Sequence, residues 1–429
     1  MNYQETLRYL YTRLAAFHLQ GGTAYKPGLA NTMRLMEALD NPHTKFPSIH
    51  IAGTNGKGSV SHYLSAILQE AGYKVGLYTS PHLVDFGERI RVNGKMIDEQ
   101  YVIDFVANNQ EIIQAVQPSF FELTMAMAFS YFAENQVDIA IIEVGLGGRL
   151  DSTNIIHPIV SIINNIAFDH QAFLGNTLAA IALEKAGIMK KDVPIVIGEA
   201  LAETKEVFVR QAETVQTTIY FAEEQPDYPT FVRFALGKMC FSFHEKTYQS
   251  ELLGTYQLKN LATVFLATQI INQNTDFQIT EAALSSGIAN VVSLTGLRGR
   301  WELLQKHPTI IADTAHNPAG MQVALNQLKN YSFTSLRIII GMVDDKDIDS
   351  ILQMLPREAN YYFTQAPTER AIPASVLQEK AEAYGLRGQS FPSIEQAMQT
   401  AQQEAVQEDL IFITGSNFVV GEALRVKSL

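Results

Sequence analysis

From Ile49 to Ser59 the chain reads Ile-His-Ile-Ala-Gly-Thr-Asn-Gly-Lys-Gly-Ser: an apolar, strand-like approach, three glycines spaced around one lysine, and a hydroxyl. Glycines let backbone N–H groups converge on phosphate oxygens. A following helix adds partial positive charge at its N-terminus, and a lysine reaches the terminal phosphates. That helix is expected because Val60, Tyr63, Leu64, Ile67, Leu68 and Ala71 fall on one amphipathic stripe. The spacing departs from G-x-x-x-x-G-K-[ST], since two residues separate Gly53 from Gly56 and Gly58 lies between Lys57 and Ser59. Gly53, Thr54, Asn55, Gly56, Lys57, Gly58 and Ser59 nonetheless have the parts of a nucleoside triphosphate cradle.

Ligands of open parallel sheets sit at the carboxyl ends of the strands, and the unusual polar residues of this chain recur at such positions. Thr79-Ser80-Pro81-His82 follows one apolar run, Glu143-Val-Gly-Leu-Gly-Gly-Arg-Leu-Asp151 another, and Asp169-His170 a third. A Mg²⁺ ion beside a triphosphate wants hard oxygen ligands. Glu143 suits that role because it ends an apolar strand, where an unpaired carboxylate is costly. Ser80 reads equally as a hydroxyl ligand or as the start of a Ser-Pro turn. His170, taken alone, reads as a histidine capping the turn before Leu174-Gly175. Further on, Ile311-Ala-Asp-Thr-Ala-His-Asn-Pro-Ala-Gly320 puts Asp313 and His316 at a strand end, with Asn317 before Pro318 explained as a helix N-cap. Gly415-Ser416 precedes a helix and suits an anion such as a carboxylate. Arg298 and Arg300 flank a glycine between the two halves of the chain.

The elements that must position these residues are apolar runs alternating with helical patterns. Strands are expected over 48–52, 73–79, 138–144, 159–166 and 194–198, with helices near 59–71, 98–116, 121–135 and 177–189. That alternation predicts an α/β fold: a mostly parallel sheet domain carrying the phosphate loop, over residues 1–295. Residues 1–46 read as helices and a loop, and 217–253 as a small antiparallel excursion with strands over 218–222 and 230–243. Residues 292–300 break periodicity and serve as a linker. Beyond them the alternation restarts, predicting a smaller Rossmann-like α/β domain over 296–429.

Composition bounds the rest. With 429 residues, 47% apolar and 18% charged, the chain is an ordinary globular protein long enough for two or three domains. A net charge of −12 without a basic run argues against nucleic acid. The lone Cys240 excludes an internal disulfide, the first residues lack a signal peptide's pattern, and no apolar stretch approaches the ~20 residues of a membrane span. A cytoplasmic protein with no membrane partner is expected.

The runs 53–59, 79–82, Glu143–Gly148, Asp169-His170, Glu-Lys-Ala-Gly-Ile (184–188), Asp-Thr-Ala-His-Asn-Pro (313–318) and Thr-Gly-Ser (414–416), taken in order, resemble folylpolyglutamate synthase and the bifunctional dihydrofolate synthases. These are ATP-dependent amide ligases related to the Mur ligases. The resemblance implies ATP phosphates on Lys57 and its loop, with Asn260, Arg300 and Asp313 completing the nucleotide site. It implies Ser80, Glu143 and His170 as magnesium ligands, and Lys185 as a carbamate holding a second magnesium. His316 and Ser416 would place the incoming L-glutamate. The acceptor, a folate or dihydropteroate, is expected against His82, Arg89, Phe120, Phe121 and Asp151: the phenylalanines offer flat faces to a pterin, and Arg89 offers a fork to a carboxylate. His82 leans toward the bifunctional members, and a monomer is expected. A Mur-type ligase is disfavoured because 52 residues before Gly53 are too few for its first domain. A non-ligase phosphate-loop NTPase would not need the Asp313/His316 domain. A dinucleotide oxidoreductase lacks its G-x-G-x-x-G.

Overall fold

The computed structural model of the chain describes residues 1–14, 28–344 and 346–428. Eight strands make the first sheet: β1 (Ser48–Ala52), β2 (Val75–Tyr78), β3 (Ile90–Val92), β4 (Lys95–Met96), β5 (Ile139–Glu143), β6 (Val160–Ile163), β7 (Ile195–Ile197) and β8 (Ile219–Phe221). Their order is β4-β3-β2-β5-β1-β6-β7-β8. β3 and β4 add antiparallel at one edge; all the others run parallel. β1 and β5 are buried along their whole length, as unbroken apolar runs between two helix layers should be. The chain goes from β1 to β2, returns to β5, then crosses β1 to reach β6. The loop after β1 therefore leaves the sheet where the winding reverses, the point at which such sheets open a crevice. In the ladder Ile51 pairs with both Glu143 and Ile162, so the ends of β5 and β6 flank that loop.

The helix after the loop, Lys57–Glu70, is buried on every side from Ser59 to Leu68 rather than along one stripe. The helices Gln257–Asn274, Glu281–Ala289 and Val291–Thr295 cover its outer face, which a stripe count along one segment does not foresee. A second departure lies in 217–253. β8 is a parallel edge strand of the main sheet, because the helix Ala202–Val215 carries the chain back over the sheet before it. The antiparallel unit is confined to β9 (Thr230–Ala235), β10 (Lys238–Phe243) and β11 (Lys246–Ser250). The helical pattern over 98–116 splits into Glu99–Asn108 and Gln110–Val116. The β3–β4 hairpin turns on Asn93-Gly94, both at positive φ. In the first 46 residues, helices span Tyr3–Arg13 and Ala30–Ala38, while 15–27 lie outside the described residues.

The supposed linker begins as the helix Val291–Thr295 and turns at Gly296 and Gly299, both at positive φ. The second sheet follows: β12 (Glu302–Lys306), β13 (Thr309–Ala312), β14 (Leu336–Ile340), β15 (Asn360–Phe363), β16 (Arg387–Ser390) and β17 (Leu410–Thr414), ordered β12-β13-β17-β14-β15-β16. All but β12 are parallel. Side chains alternate between two cores: Ile311, Ile338 and Phe412 on one face, Ile310, Ile339 and Ile411 on the other.

Candidate active site

A cleft of about 590 Å³ opens between the carboxyl ends of the first sheet and those of the second. Of the residues singled out in the sequence, the loop Gly53–Ser59, Ser80, Arg89, Phe120, Phe121, Glu143, Asp151, His170, Lys185 and Asn260 line it from one side, and Arg300, Asp313, His316 and Ser416 from the other. His82 does not line it and instead accepts a hydrogen bond from Arg89.

Gly56 caps the helix at φ 79°, and a Cβ there would stand 2.3 Å from Asn164 Nδ2 and from Asn260 Oδ1. Glycine is therefore required on both conformational and steric grounds. The loop is pinned from β6: the amide of Thr54 donates to Asn165 O and that of Asn55 to Asn165 Oδ1, each at 2.9 Å. Asn164 Nδ2 donates to Asn55 O at 3.0 Å and to Asn260 Oδ1 at 2.7 Å, so Asn260 braces the loop from the helix Gln257–Asn274. Lys57 folds back on the loop, its Nζ donating to Gly53 O at 3.1 Å. Ser59 Oγ is buried and accepts from Gln257 Nε2 at 3.2 Å.

Glu143 is 4% exposed, and its Oε2 accepts the Ser80 amide at 3.0 Å. Burial pushes its carboxyl above the usual range, opposed by Lys57, the Ser80 amide, Arg300 and Arg89. Lys185, on the helix Leu178–Ala186, is 5% exposed and forms no ion pair among the described residues. Burial first, and then the charge of Lys57, bring its amine down to about 7, against the pull of Asp169 and Asp151. His170 sits at φ 50°, its amide donating to Asp169 Oδ1 at 2.8 Å and its ring facing the same carboxylate.

On the opposite wall Asp313 is fully engaged. Its Oδ2 accepts from Tyr256 OH at 2.6 Å and the Trp301 amide at 2.8 Å, and its Oδ1 from the Ala315 amide at 2.9 Å. Burial raises its carboxyl, while the Tyr256 hydroxyl and Arg300 lower it. Arg300 Nη1 donates to Thr314 Oγ1, and Nη2 comes within 3.6 Å of where a Cβ on Gly58 would lie, so the guanidinium reaches the phosphate loop. His316 Nδ1 donates to Thr314 O at 2.8 Å, leaving Nε2 3.4 Å from Asp169 Oδ2. Ser416 Oγ accepts the Val419 amide at 3.1 Å as a helix cap.

Some contributors carry roles that the sequence does not assign: Asp169, quoted there only beside His170, and Lys346. Asp169 takes Lys346 Nζ at 2.6 Å and Asn317 Nδ2 at 3.2 Å in addition to His316. Burial pushes its carboxyl up, but the His316 hydrogen bond and the charges of His170 and Lys346 prevail and hold it well below the usual carboxylate range. Its neighbourhood to His170 was a signal, as was the Asn164-Asn165 pair at the end of an apolar run. Lys346, a few residues past β14, also obeys the strand-end rule.

At the far end Arg89 is 2% exposed, with no acidic side chain in ion-pair range among the described residues. Its Nε donates to His82 Nδ1 at 2.7 Å and its guanidinium lies 5.1 Å from the centroid of the Phe120 ring. Phe121 packs on Gly145, where a Cβ would stand 2.5 Å from its Cζ, and on Tyr78. Asp151 braces the glycine-rich turn, its Oδ2 accepting the Leu146 amide at 2.8 Å and its Oδ1 the Thr153 amide at 3.0 Å. Its carboxylate is thus already occupied within the wall of the cleft.

Known proteins supply a further set of findings. The family description "Mur ligase middle domain" matches residues 51–268, and "Mur ligase, glutamate ligase domain" matches 299–417. The chain is 33% identical over 417 residues to the dihydrofolate synthase/folylpolyglutamate synthase of Bacillus subtilis, covering 92% of this chain and 94% of that one. It superposes on Escherichia coli FolC, solved with DHPP and ADP, with a TM-score of 0.84 at 29% identity over 100% of this chain and 98% of that one. A bifunctional folylpolyglutamate synthase/dihydrofolate synthase with Mn, AMPPNP and L-glutamate bound matches with a TM-score of 0.83 at 27% identity, again over 100% and 98%.

Proposed function

Because the chain belongs to the Mur ligase family, and within it to the folylpolyglutamate and dihydrofolate synthases, ATP-dependent ligases that join glutamate to folate, we propose that its cleft divides that reaction between the two sheets. The observation that carries this assignment is convergence: the phosphate loop, Glu143 and Lys185 share one cleft with His316 and Ser416 of the second domain. ATP lies with its phosphates on Gly53–Ser59 and Lys57, braced by Asn260, with Arg300 and Asp313 closing the nucleotide site from across. The acceptor lies toward Arg89, a buried cation without an acidic partner among the described residues, and toward the rings of Phe120 and Phe121.

The acceptor carboxylate attacks the γ-phosphorus of ATP, ADP leaves, and an acyl phosphate forms. Lys57 and Arg300 stabilise the charge that develops on the transferring group. The glutamate amine, oriented by His316 and Ser416, attacks the acyl carbon. The tetrahedral intermediate expels phosphate, and the ammonium proton passes to His316 or to water. The acyl phosphate hydrolyses in bulk water, so the two walls must meet before it forms.

No three His, Cys, Asp or Glu side chains form a metal cluster among the described residues. Beside a triphosphate Mg²⁺ needs only one or two protein carboxylates, the remainder of its shell being water and phosphate oxygens. The buried carboxylate of Glu143, with Ser80 and His170 on the same wall, meets that demand. Such an ion neutralises charge on the phosphoryl group. Lys185 supports a second site. An amine near 7 is substantially neutral at physiological pH, and a neutral amine adds to CO₂ with loss of a proton, giving a carbamate whose oxygens are hard donors. Both walls come from one chain, which supports a monomer as the working unit.

The test is phosphate release from ATP plus L-glutamate, with tetrahydrofolate and with dihydropteroate offered separately. Phosphate and glutamyl amide should appear in equal amounts with tetrahydrofolate; no amide with either acceptor would overturn the assignment. Activity with dihydropteroate as well would establish the bifunctional reading, which the double name of the B. subtilis relative favours.

A further inference from the structure

Asn317 stands at the N-terminus of the helix Pro318–Leu328, where its Oδ1 accepts the amide of Gly320 at 2.8 Å. The cap settles which way the side-chain amide points, with oxygen toward the helix and nitrogen away from it. That nitrogen donates to Asn55 Oδ1 at 2.9 Å and to Asp169 Oδ2 at 3.2 Å, and Asn55 Nδ2 returns a bond to Asn317 Oδ1 at 3.3 Å. Asn317 is 1% exposed, so these bonds are made away from water, where an unmet donor is costly. Serine or aspartate would cap this helix about as well as asparagine, and threonine somewhat less well. None of them also supplies an N–H₂ group to the other domain.

Each of the three partners lies in a segment of the cleft. Asn55 is within the phosphate loop, between Gly53 and Gly56, its backbone held by Asn164 and Asn165. Asp169 follows β6 and also binds Lys346 and His316 of the second domain. Asn317 itself lies in the run 313–318 that carries Asp313 and His316. One buried amide therefore ties the loop that holds phosphate to the segment that handles the amino acid.

Resting on the functional reading above, we propose that Asn317, paired with Asn55, is a positioning residue that registers the phosphate loop against the glutamate-handling segment. It touches no reacting atom. It seats His316 for the second half of the reaction when the phosphate loop has its nucleotide-holding shape, and so couples nucleotide occupancy to closure of the cleft.

Asn317→Asp keeps the shape and the capping oxygen, removes the donor, and sets a carboxylate against Asp169. With ATP and folate saturating, it should lower kcat about 30-fold and raise the KM for L-glutamate about tenfold, the scale of a misplaced catalytic group. ADP affinity by calorimetry should change less than about threefold, because the loop's contacts to Asn164 and Asn165 remain. In a cycle of Asn55→Ser, Asn317→Ser and the double variant, the second change should cost less than about threefold beyond the worse single one, as for two halves of one contact. Unchanged glutamate kinetics, an equal loss of ADP affinity, or losses that multiply in the cycle would each overturn the proposal. Should Asn317→Asp fail to fold, Asn317→Ser, which retains a cap, undergoes the same kinetics. Small-angle X-ray scattering separates this idea from the functional reading: ADP should compact the wild-type protein but not Asn317→Asp even if no ligation is found. Equal compaction of both would overturn the coupling.

Discussion

Lys57 and Lys185 are two lysines a short distance apart in one cleft, and their environments make them different reagents. Lys57 is folded against the loop carbonyls, its Nζ donating to Gly53 O at 3.1 Å and to Thr54 O at 3.4 Å. Lys57→Ala should leave the fold intact and lower turnover by at least ~10²-fold, the cost of removing one electrostatic stabiliser; near-normal kcat in the purified variant would remove it from the mechanism. Lys185 has its amine brought down to about 7, so its neutral fraction grows as pH rises from 6 to 8. Only the neutral form adds CO₂, so carbamate formation declines as pH falls through 7. Enzyme stripped of CO₂ at pH 6 should be weakly active and recover when bicarbonate is supplied at pH 8. Lys185→Ala should be nearly inactive at both pH values and partly restored by short carboxylic acids. A bicarbonate-independent rate in stripped enzyme would remove the carbamate. Arg89 is buried on Phe120, with no acidic partner among the described residues. Arg89→Ala should therefore raise the folate KM at least ~10-fold while moving the ATP KM less than about twofold, since it removes binding to one substrate. Equal effects on both would place the acceptor elsewhere.

At the scale of elements, the phosphate loop works because a strand, a glycine turn and a helix are held in register by a neighbouring strand end. Gly56→Ala tests that arrangement: its Cβ would intrude on Asn164 and Asn260 at 2.3 Å, at φ 79°. ADP affinity measured by calorimetry should fall at least ~10-fold, with a stability loss of about 1–3 kcal/mol from backbone strain. Unchanged affinity would mean that the loop can shift without consequence. The loop itself was legible in the sequence because glycine spacing, a lysine and an apolar stripe are local signals. The brace was not: Asn164 is distant in the chain from Asn260 and Thr263, which share one helix, and meets them through hydrogen bonds of 2.7 and 2.9 Å. The same reason explains β8. A three-residue strand reads alike in parallel and antiparallel pairing, and the helix before it decides which forms.

At the scale of the molecule, two sheets face each other across the chemistry and neither carries all of it. Residues 1–295 expressed alone should bind ATP weakly and form no amide, because Arg300, Asp313, His316 and Ser416 are missing, and Tyr256 loses its acceptor on Asp313. Calorimetry and product detection by mass spectrometry check this, and full ligase activity from the fragment would show the second domain to be dispensable. The opposing walls also share polar contacts, since Asp169 of one domain receives Lys346, His316 and Asn317 of the other. Among the described residues no helix is long and apolar enough to cross a membrane.

By itself the sequence determined the α/β class, the phosphate loop, the family and the polar residues that end the strands. These are properties of short segments, governed by periodicity, glycine spacing and side-chain type. The tertiary structure alone decided what those residues face. It turned Lys185, an ordinary helix lysine in the sequence, into a buried amine near 7, and Arg89 into a cation buried over the Phe120 ring. It engaged the carboxylates of Asp151 and Asp313 with backbone amides and neighbouring hydroxyls, set Arg89 Nε on His82 Nδ1, and gave Asn317 a partner 262 positions away. Burial and charge proximity depend on which segments meet, and no window along the chain contains that information.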